Sequence, residues 1–499
     1  MSAKKKGNRN RNRYKQRNEN FYSDYERFAS TSANLTGQRI GNRSSIGNLT
    51  QARLKQMLQD PMSSAIQIGS FSGSMKQVNG VYKRFIKYMS SLLTFDHTIY
   101  PVFQSQENIE SDKDKLQEAF MNMAIFVDKL NPKYFLPIFT EKIFTSGVTF
   151  QYKLEDSSGI AYQEIPTNLC RISYQEDGVY RYQIDLSKIT ETTLNIYPKE
   201  IQNAYNQYRN GQTDKFQESK WYQVSDKGVA FTVDADVLLN GGVALPPFAN
   251  SLIDVIKIEN AKDQMEDDAT LDNTKIIHSK IKTDDKGRPV IDLPIAMKYH
   301  EAIKKTLPKG AVAITNPFDT IGITLNGTGK DGIFALLDKS IDQLYIGAGI
   351  SSQLFANDNS SSVALDKSIR VDVQWLYNYL LPLYENYYNY EIKKVSKKGI
   401  LWKIKFLRTS YFDQTDAIKT AKEVLSFGGS RLEYLAYCGM TPLEIANMFA
   451  FEQNVLNIDD FMVAKQTSNT LSGKVLNNEA GRPKEENPTD TTVRINDSQ

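Results

Sequence analysis

From Val78 onward, Tyr82, Phe85, Ile86, Met89 and Leu93 recur at three- and four-residue spacing, which predicts a helix with one buried face. A second stripe starts near Ser111 and runs through Leu116, Phe120, Met123, Val127 and Leu130. Asn131-Pro132 then supplies an N-cap and an N1 proline for a third helix, ending near Gly147. The period switches to two in VTFQYKL, IAYQEI, LCRISY and VYRYQIDL, with EDG at 176–178 as a hairpin turn. Helices followed by paired strands predict an α+β domain.

Residues 250–272 place Leu252, Val255, Ile256, Ala261, Met265 and Ala269 on one helical stripe, and the remaining positions carry seven acids against two lysines. Glu266, Asp267 and Asp268 lack the glycine-bearing loop and partner ligands of a calcium site, so they read as a solvated acidic face. The helical period then fails over 273–327. There KIIHSKI, RPVIDL and GAVAIT alternate with turns, and nine Lys or Arg face five acids, as in a small inserted module.

Thr328 and Asp331 fit a capping box, and Ile333, Leu336, Leu337, Ile341 and Leu344 extend a stripe to Gly347 and Gly349. The polar stretch SSQLFANDNSSS follows at 351–362. Beyond it Leu365, Ile369, Val373, Leu376, Leu380 and Leu383 predict a long helix that Pro382 should kink. LWKIKFL at 401–407 alternates as a strand. Three short helices come next, with Asp413, Ser430 and Thr441 as start signals and Gly428 and Gly439 as stops.

At 499 residues, with 40% apolar and 24% charged content, most of the chain should fold into cores. The exceptions are the ends. Residues 1–18 hold eight Lys or Arg, among them Lys4, Lys5, Lys6, Arg9, Arg11 and Arg13, and no acid, so 1–60 reads as a basic, largely disordered arm. Residues 465–499 read as a disordered tail.

Two distant cysteines, Cys170 and Cys438, suggest neither a disulfide framework nor a thiolate metal site, and point to a reducing setting. His97, His278 and His300 are scattered, without metal-ligand spacing, and read as structural or surface residues. Phosphate-loop, dinucleotide, nucleophile-elbow and HExxH patterns are missing, so no cofactor, no metal and no enzymatic activity are expected. No apolar run is long enough for a membrane span, and the N-terminus leads into polar sequence rather than a signal core.

The succession over roughly residues 75–460 resembles the portal proteins of tailed bacteriophages, in particular the siphophage-type portals of phages infecting Gram-positive bacteria. The phrases that carry it are GVYKRFIKYMSSLLTFDHTIYP, IPTNLCRISYQEDGVYRYQIDL, GISSQLFANDNSSSVALDKSIRVD and YCGMTPLEIANMFAFE, in that order. The resemblance implies an α+β portal fold. Its parts would be a wing over 61–249, stem helices over 250–272 and 328–350, and a clip over 273–327. A tunnel loop over 351–362, a long kinked helix and wing strand over 363–409, and crown helices over 410–464 would complete it.

It further implies a ring, a dodecamer by family likeness, at one vertex of the virion capsid, assembled in the host cytoplasm. Duplex DNA would pass through the channel during packaging and ejection. The terminase large subunit, head-to-tail connector proteins, and the major capsid and scaffold proteins would be the partners. Gln353, Asn357, Asp358, Asn359, Ser360 and Ser361 would face the DNA. Lys304, Lys305 and Lys309 of the clip would meet a partner or DNA. The physics suits such a role, because polar uncharged rings offer exchangeable contacts to sliding phosphates without the counterion-release affinity of an Arg/Lys array. The rival readings are a capsid or tail-adaptor ring that conducts no DNA, and a nucleic-acid-processing enzyme.

Overall fold

The computed structural model describes residues 51–102, 113–156, 159–212, 218–273, 275–280, 295, 298, 302, 311–316, 330–350, 362–396 and 400–457. The chain divides into two units, Met1–Ile445 and Ala446–Gln499.

The first unit opens with five helices: α1 (Gln51–Gln59), α2 (Pro61–Val78), α3 (Gly80–Ser91), α4 (Lys113–Leu130) and α5 (Pro132–Ser146). Helix α1 corrects the arm expected over 1–60, since it occupies nine of those residues and buries Leu54 and Met57. A helix this short is marginal alone, and its stability comes from packing on its neighbours rather than from a pattern legible in sequence. Helix α2 was hidden for a related reason. Its Ser- and Gly-rich sequence draws no helix expectation within the 61–249 wing, yet the small residues let it approach α5 so closely that a Cβ on Gly69 would lie 3.0 Å from the Ser146 carbonyl oxygen.

Asn79 caps α3 by accepting from the Tyr82 amide at 2.7 Å, while its own amide donates to Glu259 at 2.8 Å. At Asn131 the expected N-cap fails. The residue sits at φ 41° and its side chain makes no capping bond; its carbonyl accepts from the Tyr134 and Phe135 amides instead.

A six-stranded antiparallel sheet follows, built from β2 (Val148–Glu155), β3 (Ile160–Ile165), β4 (Cys170–Glu176), β5 (Val179–Asp185), β6 (Trp221–Gln223) and β7 (Gly228–Thr232). Its order is β3-β2-β7-β5-β4, with β6 also paired to β5. The hairpin at EDG is as expected, with Asp177 at φ 49° and Gly178 at φ 78°, the left-handed pair that a tight two-residue turn demands. Period-two alternation divides the strands between two cores. Ala230 joins Phe150, Tyr182 and Ile184 against the helix α7 (Lys199–Arg209), which follows the short α6 (Glu191–Leu194). Val229 and Phe231 point the other way, into the main core with Phe139, Tyr384 and Tyr387.

Helix α8 (Leu252–Asn273) leads into β8 (Lys275–Lys280), and β9 (Ala311–Asn316) precedes α9 (Lys330–Gly347). The two strands pair in parallel, from Lys275 opposite Ala311 to Lys280 opposite Asn316. Two of the three β-like pieces expected there are thus strands; RPVIDL and Thr328 lie outside the described residues.

Helix α10 (Ser362–Val395) runs 34 residues, and the exposed Pro382 lies inside it without ending it. Strand β10 (Leu401–Phe406) pairs antiparallel with β1 (His97–Val102), placing Ile99 opposite Ile404. This partner strand carries no clean alternation in sequence. Helices α11 (Gln414–Ser426), α12 (Arg431–Tyr437) and α13 (Pro442–Phe451) close the described chain.

Ser430 caps α12 through the Glu433 amide, and Thr441 and Glu444 form a reciprocal capping box. Asp413 departs from its expected capping role, because its carboxylate is taken by the Ser410 amide and hydroxyl and by the Tyr377 hydroxyl. In the second unit the described residues are the end of α13 and one π-turn, Glu452–Leu456, stopped by Asn457 at φ 49°.

Candidate functional site

The segment singled out by its polarity, 351–361, is framed by two helix ends. Helices α8 and α9 run antiparallel. Lys257 donates to Gln343 at 3.3 Å, and one turn further along α9 a Cβ on Gly347 would meet Asp254 Oδ2 at 3.5 Å and Ser251 Oγ at 3.7 Å.

The chain leaves α9 through a Schellman motif. Ile350 N–H donates to the Tyr345 carbonyl at 2.9 Å, Gly349 N–H donates to the Ile346 carbonyl at 3.0 Å, and Gly349 takes φ 76°. Ile350 is buried with Leu344 and Tyr345 in the main core, so the departure point of the segment is fixed. At its far end the chain enters α10 at Ser362.

Helix α10 is anchored at successive heights. Tyr88 of α3 donates to Asp372 at 3.2 Å, Tyr377 donates to Asp413 at 3.0 Å, the Tyr384 and Thr140 hydroxyls pair at 2.8 Å, and Tyr387 donates to Tyr162 at 2.9 Å. Burial pushes the Asp372 carboxyl up to about 6, against a smaller opposing effect of the Tyr88 hydrogen bond. Near the other end Glu391 is ion-paired with Lys153 of β2, and Lys394 bridges Asp226 at 2.8 Å and Glu391 at 3.0 Å. Burial works against the Lys153 charge, but Glu391 and Glu155 outweigh it and hold the lysine above its ordinary range. By contrast Asp366, Lys367, Arg370 and Val371, in the turns nearest the polar segment, are exposed. Between them Ile369 is buried in the main core and Arg370 reaches Asp416 of α11 at 3.3 Å, so the described helix is held from its second turn onward, with an exposed face beside those contacts.

Gln353, Asn357, Asp358, Asn359, Ser360 and Ser361 lie outside the described residues, as do Lys304, Lys305 and Lys309 and the arm residues Lys4, Lys5, Lys6, Arg9, Arg11 and Arg13. What the structure describes is the frame of the first group and, in β8 and β9, part of the module holding the second. The anchoring residues Asp372, Tyr377, Lys153 and Glu391 escaped the sequence reading, and Asp413 reads there as a helix start instead of an anchor. The only trace was polar residues set within the apolar stripe of α10, a pattern that solvent-facing positions mimic.

Among the described residues no group of three His, Cys, Asp or Glu could hold a metal ion. His97 is buried against the Phe406 ring at 5.8 Å, and burial lowers it to about 4, so it is neutral at pH 7. Cys170 is buried, and that burial pushes its thiol well up, the reverse of an activated nucleophile. No described helix is long and apolar enough to cross a membrane.

No family model matches the chain, and no curated protein matches it. Among solved structures it is similar to a chain of "Virion of native gene transfer agent (GTA) particle", at 12% identity and a TM-score of 0.35, covering 65% of this chain and 89% of that one. A likeness of that looseness carries no argument about this chain.

Proposed function

We propose that the chain is a portal subunit: a non-enzymatic protein that forms a ring at one capsid vertex, passes duplex DNA through its channel, and docks the packaging motor and later the head-to-tail connectors. The observation that carries this reading is the order and pairing of parts. An antiparallel helix pair, α8 and α9, is joined at one end by an inserted module that includes a parallel strand pair, and at the other end it leads through the Schellman-capped turn into 351–361 and on to α10. A polar segment that starts from a fixed exit and leads into a helix with Asp366, Lys367, Arg370 and Val371 exposed suits contact with a sliding ligand while the rest of the subunit stays put.

The residue types of 351–362 favour contact with DNA that is weak enough to let it move, since they include one acid and no Lys or Arg. The α8 sequence, rich in acids, would discourage sticking in the same way. The basic excess of 273–327 suits a docking site for an acidic partner or for phosphate held locally. In this reading the ring, its dodecameric count, and the terminase, connector, capsid and scaffold contacts are all parts of the proposal.

Electron microscopy of the purified protein is the direct test. Rings with an axial hole wide enough for a duplex, about 20 Å, are expected. A strictly monomeric chain at assembly concentrations would overturn the reading, and rings whose hole is closed would favour an adaptor that conducts no DNA.

A further inference from the structure

A groove of about 440 Å³ opens on the first unit. Leu58 and Pro61 form one wall, Leu245 and Pro247 another, and Trp375 and Tyr379 of α10 the third. Trp375 is backed by Phe144 at 5.9 Å, Phe248 at 6.3 Å and Tyr379 at 5.5 Å, so that wall is rigid and aromatic; Tyr379 is 53% exposed. The charged group at the rim is Asp234, whose carboxylate accepts from the Asp236 amide at 3.0 Å and the Leu245 amide at 3.4 Å and keeps acceptor capacity for a cation. Aromatic and apolar side chains line the groove beside the polar Asp234 and Asn250, which suits a segment that presents rings together with a cation.

The chain holds one segment with matching chemistry. Residues 20–28 read NFYSDYERF, with Phe21, Tyr25 and Phe28 at the i, i+4, i+7 spacing that gathers rings on one helical face, and Arg27 beside them. Position and reach agree. The groove wall at Leu58 lies within α1, so the chain N-terminal to Gln51 starts only about 10 Å of helix away. A linker of 22 residues, the number between Phe28 and Gln51, would reach roughly 25 Å at coil dimensions, enough to return. At that tether length the effective concentration is on the order of millimolar, so even weak ring contacts would be populated.

We infer that residues 20–28 dock intramolecularly in the groove between α1, the 245–247 turn and α10, inserting Phe21, Tyr25 and Phe28 against Trp375 and Tyr379 and bringing Arg27 to Asp234. The N-terminal segment then has two parts: an aromatic anchor, and before it a cationic stretch held at a defined place on the surface. The docking does not depend on ring formation or DNA, so its fate and that of the portal proposal are separable.

The test uses the full-length chain with p-benzoylphenylalanine in place of Tyr379, which keeps an aromatic ring at that exposed position of the groove wall. A mixture of light- and heavy-isotope chains is irradiated, and tryptic products are read by mass spectrometry. Light–light and heavy–heavy crosslinks to the peptides 18–27 or 28–39 are expected. Their yield should fall about tenfold or more in the F21A/Y25A/F28A chain, as expected for loss of aromatic anchors. Amide exchange at 245–251 should rise in that same chain, while exchange in the β2–β7 sheet stays unchanged. Light–heavy products, crosslinks to folded residues of a second copy, or a yield unaffected by the triple substitution would each overturn the inference.

Discussion

Glu391 of α10 and Lys153 of β2 form an ion pair in which the two side chains are 1% and 8% exposed. It joins the end of the longest described helix to the six-stranded sheet across 238 residues of sequence. Removing one partner leaves the other with a single, more exposed counter-charge, Glu155 for Lys153 at 2.9 Å or Lys394 for Glu391 at 3.0 Å, so a buried charge is under-solvated rather than orphaned. Glu391→Ala or Lys153→Ala alone is expected to cost about 1–3 kcal/mol of unfolding free energy, the range for an incompletely satisfied buried polar group. The double change to Lys153→Met with Glu391→Leu should cost far less. Denaturant titration of the four chains, read as a double-mutant cycle, checks this; additive single costs would mean that the pair is not coupled.

Asp372 carries the opposite liability. Burial raises its carboxyl to about 6, so the folded chain takes up a proton between roughly pH 4 and 6 while the unfolded chain has none to bind there. Its contribution to stability is therefore favourable below about pH 4 and lost as pH rises through 6. Asp372→Asn keeps a polar partner for Tyr88 and removes the charge. It should stabilise the chain by about 1–3 kcal/mol at pH 7.5 and by nothing near pH 4. Thermal melts at the two pH values give the answer, and an equal effect at both would rule out titration of this group as the cause.

His97 slopes the other way over the same range. Burial holds it neutral down to about 4, whereas the unfolded chain protonates near 6.5, so its contribution to stability is present above 6.5 and lost as pH falls toward 4. His97→Leu should flatten the acid side of the stability–pH curve. Melts from pH 4 to 7 will show it, and a curve of unchanged slope would mean that the ring is already solvated.

On the portal reading, replacing Asn357 and Asn359 with Arg should slow or stall DNA packaging while rings still assemble, because two cations per subunit convert exchangeable contacts into strong phosphate attraction. Nuclease-protected DNA in a reconstituted prohead is the measurement. Normal packaging by the double-Arg chain would remove the segment from the DNA path.

Charge reversal at Lys304, Lys305 and Lys309 should weaken binding of the terminase or of a connector without dissolving the ring. Pull-down of each partner alongside sedimentation of the ring separates the two effects. Undiminished binding of both partners would leave these lysines as solvated surface.

The sequence by itself determined the elements whose signal is local. Tyr82, Phe85, Ile86 and Met89 mark α3 because helical spacing alone gathers them on one face, and Asp177-Gly178 marks the β4–β5 hairpin because few residues accept that left-handed pair. Ser430, Thr441 and Gly439 fix helix ends for similarly local reasons. Only the tertiary structure decided the rest. Helix α1 exists because partners cover Leu54 and Met57, α2 because its glycines fit against α5, and β1 because β10 comes to pair with it. The parallel pairing of β8 and β9 and the anchoring of α10 by Tyr88, Tyr377 and Lys153 join residues far apart in the chain. A polar residue inside an apolar stripe looks the same in sequence whether it faces water or a buried partner, and the free energies of those two states differ only once the partner is in place.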